Sequence, residues 1–151
     1  MKIGLDSTRR EFSKGLVRKL EEENLFLVDM YLEKKRNEGY EVYKKAMDAN
    51  KSRLDLFIGV YLDEKESQEE EVAILYDCSF IGEKFASYIY DCLREEYGNE
   101  KLSLRCGTEF YILKEIKSPA FLIKGNLSEK TKEIEESLEK IIKNIFKMEI
   151  K

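Results

Sequence analysis

At 151 residues the chain is long enough for a single domain, residues 1–151, that buries roughly two-thirds of its unfolded surface. Apolar residues make up 42% and charged residues 38%, with both signs interspersed and a net charge of only -4; that balance excludes a long-range pull toward nucleic acid or an anionic membrane. No apolar run is long enough to span a bilayer, and the run after Lys2 is too short for a signal-peptide core. The chain is therefore expected in the cytoplasm, or outside it only as part of, or exported with, a larger assembly.

In chain order, Lys2 to Leu5 is a short apolar start ending at Asp6, which predicts an inner strand. Leu20, Asn24, Leu27, Val28 and Tyr31 recur at helical spacing, and Gly39 would supply the stop. Tyr40 to Tyr43 is a brief strand candidate, followed by a short helix from about Lys44 to Lys51. Leu54 to Leu62 is a near-continuous apolar run of strand length, as expected for a strand covered on both faces. The charge-dense stretch from Asp63 to Glu71 predicts a solvated loop, and Val72 to Tyr76 a further strand.

Ile81, Phe85, Tyr88, Ile89, Cys92 and Leu93 form one face of a long helix, with Ser79 as its expected N-cap. Thr108 to Leu113 and Ala120 to Ile123 are predicted strands around Pro119, the only proline. Ser128 would cap a last helix whose core face is Ile134, Leu138, Ile141, Ile142 and Ile145. Strands alternating with helices predict an α/β three-layer sandwich: a mostly parallel or mixed sheet of about six strands with helices on both faces.

Cys78, Cys92 and Cys106 are odd in number and form no CxxC pair, so they are expected as small buried hydrophobes in a reducing compartment. The chain contains no histidine, so a zinc site built on these cysteines would have three ligands at most.

The run Asp48-Ala49-Asn50-Lys51-Ser52-Arg53-Leu54-Asp55-Leu56-Phe57-Ile58-Gly59-Val60-Tyr61 resembles the zinc-dependent N-acetylmuramoyl-L-alanine amidases of the type-three family, cell-wall hydrolases whose pattern there reads AN, spacer, DLF-I-S-I-H-AN. Lys2 to Asp6 is similar to the family's opening strand, which runs into Asp-Pro-Gly-His-Gly. Asn24 to Val42 is similar to its long helix and second strand, and Ser118 to Ser128 to the late stretch PA-L-L-V-E-x-G-F-L-S-N. The likeness in order and spacing covers nearly the whole chain.

What the resemblance implies is a lost reaction. Those enzymes hold zinc with a histidine, a glutamate and a second histidine, and activate water with a further glutamate. Carried over by position, the histidines fall on Arg9 and Tyr61, the catalytic glutamate on Lys124, and the zinc-binding glutamate near Leu20 or Glu21. Asp6 remains, followed by Ser7-Thr8-Arg9-Arg10. Arginine stays protonated and repels a dication, tyrosine ligates only as phenolate, and lysine is no base at its ordinary pKa. No metal, no cofactor and no catalytic residue is expected.

Three readings of the altered cleft stand at this point. Arg9, Tyr61 and Lys124 are drifted residues around an unused cleft; or, with Asp6 and Glu21, they form a ligand site that holds an anionic group such as a peptide-stem carboxylate; or they run a different, metal-independent reaction. The resemblance implies an inactive amidase homologue in a bacterial cell-wall or sporulation setting, binding a peptidoglycan fragment or a protein partner. A protein-protein interaction module that ignores the cleft is the further alternative. Lys124 is expected to pair with Asp6 or with one of Glu21 to Glu23, with Arg9 on the rim.

Overall fold

The apolar run Leu56-Phe57-Ile58-Gly59-Val60-Tyr61-Leu62 becomes a middle strand of the sheet because both of its faces are covered. The computed structural model describes residues 1–31, 38–63, 71–126 and 131–148. The elements run β1 (Ile3–Ser7), α1 (Arg10–Glu21), β2 (Leu27–Asp29), α2 (Glu38–Ser52), β3 (Leu56–Asp63), β4 (Glu71–Tyr76), α3 (Phe80–Tyr97), β5 (Leu102–Cys106), α4 (Tyr111–Glu115), β6 (Ala120–Asn126) and α5 (Thr131–Phe146). The strands form one six-stranded sheet in the order β2-β1-β3-β6-β4-β5. β4 runs antiparallel to β6, and every other neighbouring pair is parallel. This is the α/β sandwich with a mixed sheet that the alternating pattern predicts.

Helices cover the two faces unequally. On one face α1, α3 and α5 press Leu16, Phe85, Ile89, Leu138 and Ile142 onto Leu5, Ile58, Phe121 and Ile123. On the other, α2 and α4 bring Ala46, Ala49, Ile112 and Leu113 against Phe57, Leu75 and Leu122. Alternate residues of each strand serve alternate faces. Ser79 caps α3 by accepting a hydrogen bond from the Gly82 N–H at 2.9 Å. Gly98, at φ +80°, ends that helix in a conformation that side chains rarely adopt.

Three expectations change. The helical spacing through Asn24 to Tyr31 is not one helix: α1 stops at Glu21, Asn24 turns the chain at φ +60°, and Leu27–Asp29 is an edge strand. Gly39 and Tyr40 to Tyr43 lie inside α2, whose sheet-facing stripe is Val42, Ala46 and Ala49; read alone, Tyr40 to Tyr43 alternates like a strand. Thr108 to Leu113 is a turn and the start of α4, while the fifth strand precedes it as Leu102–Cys106. β5 has one neighbour and half-exposed residues, so it lacks the apolar run that marks the inner strands. Ser128 and residues 64–70 of the charge-dense stretch lie outside the described residues.

Ile58 is fully buried in β3, between β1 and β6. Ile58→Ala is expected to cost about 2–5 kcal/mol in denaturant unfolding. A cost below about 1 kcal/mol would contradict this packing.

Candidate functional site

At the carboxyl end of β1, Asp6 follows Leu5 onto the face covered by α2, and its carboxylate is completely buried. Asp6 lies opposite Gly59 in the register of β1 and β3, and Tyr61 is two residues further along on the same face. A side chain on Gly59 would place its Cβ 2.8 Å from Tyr61 Cε2 and 2.7 Å from Leu122 Cδ2. The missing Cβ lets the Tyr61 ring lie back along the strand. Its hydroxyl then donates to Asp6 Oδ2 at 2.7 Å.

α2 supplies the third member. Lys45 stands beside Val42, Ala46 and Ala49 on the sheet-facing side and brings Nζ within 2.9 Å of the same Asp6 Oδ2, with only 17% of its side chain exposed. The other oxygen, Oδ1, is buried with no hydrogen-bond partner among the described residues. Burial first, then the Asp6 charge and the hydrogen bond to it, raise the Tyr61 pKa well above its ordinary value. The phenol therefore stays protonated as a donor and is unsuited to metal ligation, which takes the phenolate.

The positions singled out in the sequence separate into three places. Lys124 is next to Tyr61 in the register of β3 and β6, yet its ammonium lies over the Phe110 ring, 4.5 Å from the centroid. The expected pairing of Lys124 with Asp6 is thus corrected: Asp6 is already held by Lys45 and Tyr61, and Phe110 stands where Lys124 points. Arg9 reaches across to α5, where Nε meets Glu135 Oε2 at 3.0 Å. This is the opposite face of the sheet from Tyr61, because α5 packs with α1 and α3. Glu21 is exposed at the end of α1, which runs back from the carboxyl end of β1, and nearby Glu23 pairs with Lys143 of α5. Glu21 to Glu23 are therefore remote from Asp6.

Beside the Asp6 cluster is a cleft of about 480 Å³ lined by Tyr31, Lys45, Tyr61, Phe110, Tyr111 and Lys124, among others. It combines aromatic walls with charges of both signs, the Lys45 and Lys124 ammonium groups and the Glu41 and Asp63 carboxylates, a composition suited to an amphipathic ligand. Lys45 and Phe110 were missed by sequence reasoning. A lysine on an otherwise apolar helical stripe is the signal that could have found Lys45, since a buried ammonium calls for a carboxylate.

The cysteines differ from expectation. Cys78, after β4, and Cys106, at the end of β5, form a disulfide with Cα atoms 5.6 Å apart. Cys92 is free and half-buried, and burial raises its thiol pKa. Because β4 opposes β6, this clip sits at the far end of β6 from Lys124.

No protein-family model matches the sequence, and no curated protein is found similar to it. Solved structures do match. The catalytic domain of CD27L, an endolysin targeting Clostridia difficile, aligns with 20% identity and a TM-score of 0.77 over 100% of this chain and 99% of that one. The N-acetylmuramoyl-L-alanine amidase CwlV of Bacillus (Paenibacillus) polymyxa aligns with 14% identity and a TM-score of 0.71 over 99% and 100%. The CwlD amidase of Clostridioides difficile, solved in complex with the GerS lipoprotein, aligns with 18% identity and a TM-score of 0.63 over 96% and 94%. The chain has the fold of N-acetylmuramoyl-L-alanine amidase catalytic domains.

Two outcomes follow from the Asp6 cluster. Lys45→Met should destabilise the fold by about 3–5 kcal/mol, because a buried carboxylate then loses its cation, and adding Asp6→Asn should recover part of that loss. An additive double-mutant cycle in urea would disprove the pairing. The folded-state pKa of Tyr61 is raised, so its contribution is fully present below about pH 10, the ordinary tyrosine value, and is lost as pH rises through the folded value. Between pH 9 and 12 the parent protein should therefore lose more stability than Tyr61→Phe.

Proposed function

We propose that this chain is a catalytically inactive homologue of the peptidoglycan amidases, which binds wall fragments in a bacterial cell-wall or sporulation process. The observation that carries the reading is the cation already seated on Asp6. In the sequence resemblance, zinc ligands fall on Arg9 and Tyr61 and the catalytic glutamate on Lys124. Catalytic zinc needs three donors with free lone pairs and an open position. Here Arg9 is engaged with Glu135, Tyr61 donates a hydrogen bond to Asp6, and Lys45 brings a tethered positive charge to the carboxylate. The residues present do not fit the metal.

A metal-independent reaction in the same cleft has less support. Tyr61 is held protonated by burial and by the neighbouring Asp6 charge, and Lys124 rests on an aromatic ring, so neither side chain is arranged as a base. Binding suits the cleft better, because the Lys124 ammonium and the rings around it complement a carboxylate-bearing peptide, Lys45 being already paired with Asp6. The Cys78–Cys106 pair suits an oxidising compartment, which favours work on the outer side of the membrane where the wall lies. Among the described residues no helix is long and apolar enough to cross a membrane.

The reading is checked with purified, dialysed protein. Elemental analysis should find well under one zinc per chain, and incubation with peptidoglycan should release no peptide stems, with or without added zinc. The protein should still sediment with insoluble peptidoglycan. Zinc-dependent release of stems would overturn the inactive assignment, and failure to sediment would overturn wall binding.

A further inference from the structure

Away from Asp6, the Cys78–Cys106 disulfide joins two segments of unequal firmness. Cys78 follows β4 and immediately precedes Ser79, the N-cap of the 18-residue α3. That side is fixed: Asp77 donates its N–H to the Ala120 carbonyl at 3.1 Å, and its carboxylate accepts from the Ser79 hydroxyl at 2.6 Å. Cys106 ends β5, an edge strand held by β4 alone among the described strands. Phe110 follows a few residues later as the N-cap of α4 and lies under the Lys124 ammonium.

The bond is placed for exchange more than for holding the core. Cys78 is exposed and Cys106 half-buried; among the described residues neither belongs to an apolar cluster, whereas Cys92 packs against one. Cys78 therefore offers the sulfur that a reductant reaches first, and the amino end of α3 favours its thiolate once freed. Cys106 Sγ lies 3.8 Å from the Thr108 hydroxyl, a donor for the thiolate that departs. Ile112 and Leu113 seat the middle of α4 on the sheet, and Asn50 ties its far end. The near end is tied by the disulfide, by the Gly107 N–H to the Tyr76 carbonyl at 2.9 Å, and by the Phe110 N–H back to Gly107 at 3.0 Å. The covalent tie thus governs how firmly β5 and Phe110 are held.

We infer that Cys78–Cys106 is a reversible redox clip, opened by a protein dithiol, that sets the order of β5 and of the Phe110 side of the cleft. The reductant's thiolate attacks Cys78 Sγ, and the bond between the sulfurs breaks with its electron pair on Cys106 Sγ, which takes up a proton. The reductant's second thiol, deprotonated, then attacks its own sulfur in the mixed disulfide and frees Cys78, which is protonated in turn. Two electrons and two protons have passed to the protein, and the reductant leaves as a disulfide. Exchange with an oxidised dithiol protein runs the same steps backward. The clipped form is the resting form wherever the surroundings oxidise thiols. Both apolar clusters lie outside the clip, so the response is local: β5 and residues 107–110 gain freedom while the inner strands do not. This holds whatever ligand the cleft takes.

The test is reduction of the folded protein with dithiothreitol, read by thiol alkylation after an acid quench and by hydrogen exchange. Free thiols should rise from one, Cys92, to three. Amide exchange should speed up roughly tenfold or more over residues 102–110, with β3 and β6 unchanged. The double variant Cys78→Ser with Cys106→Ser should exchange like the reduced protein and ignore dithiothreitol, and Cys92→Ser should still respond. A thioredoxin-type protein whose resolving cysteine is changed to serine should be trapped on Cys78, leaving Cys106 free for alkylation. Three results would each overturn the clip: a bond that dithiothreitol does not open in the folded protein, reduction without a change in exchange, or exchange that rises in every strand together. Trapping on Cys106 would overturn the order of attack.

Discussion

A carboxylate with no exposed surface, Asp6, sets the terms for everything around it. An unpaired ion there would cost several kcal/mol, so the fold needs a cation or a set of donors at that point. Lys45 Nζ at 2.9 Å and the Tyr61 hydroxyl at 2.7 Å meet that need on the same oxygen. Each contact imposes a further condition. Lys45 fixes where α2 lies on the sheet, and Tyr61 requires a residue without Cβ at position 59. The cluster thus joins β1, β3 and α2 at the end of the sheet where a ligand site is expected in this architecture.

The unequal cover of the two sheet faces is what turns this end into a cleft. α1, α3 and α5 seal one side with a continuous apolar cluster. α2 and the five-residue α4 cover only part of the other, where Tyr61, Lys124, Ala73 and Ser103 line clefts. Asn50 helps to set this arrangement: its amide donates to the Glu115 carbonyl and accepts from the Lys117 N–H, tying the end of α2 to the end of α4. The Ala49-Asn50 pair therefore has a structural role that does not depend on catalysis, with Ala49 fully buried against the sheet. A scaffold of this kind keeps its shape when the residues in its cleft change.

Much of the fold was legible in the order of residues. The inner strands β1, β3 and β6 and the helices α3 and α5 show as apolar runs or stripes, and Ser79 shows as a cap, because inner strands and amphipathic helices carry their burial pattern locally. The edge elements were less legible. β2 and β5 each pair with one neighbour and expose part of their surface, so their sequences lack the signal of an inner strand. α2 was divided in two because Tyr40 to Tyr43 alternates over four residues, too short a window to separate strand from helix.

The sequence by itself determined that the chain has no histidine and that Asp6 belongs to an inner strand. It also determined the mixture of strands and helices, since hydrophobic period is a local property. Only the tertiary structure decided which cation meets Asp6. Lys45 and Lys124 are both lysines near apolar residues, and their roles differ because α2 crosses above β1 while Phe110 stands beneath Lys124. The Cys78–Cys106 pair was likewise settled by the parallel pairing of β4 with β5, which brings the ends of two distant segments together. Contacts between residues so far apart depend on strand order and helix placement, and neither is written in any local stretch of the chain.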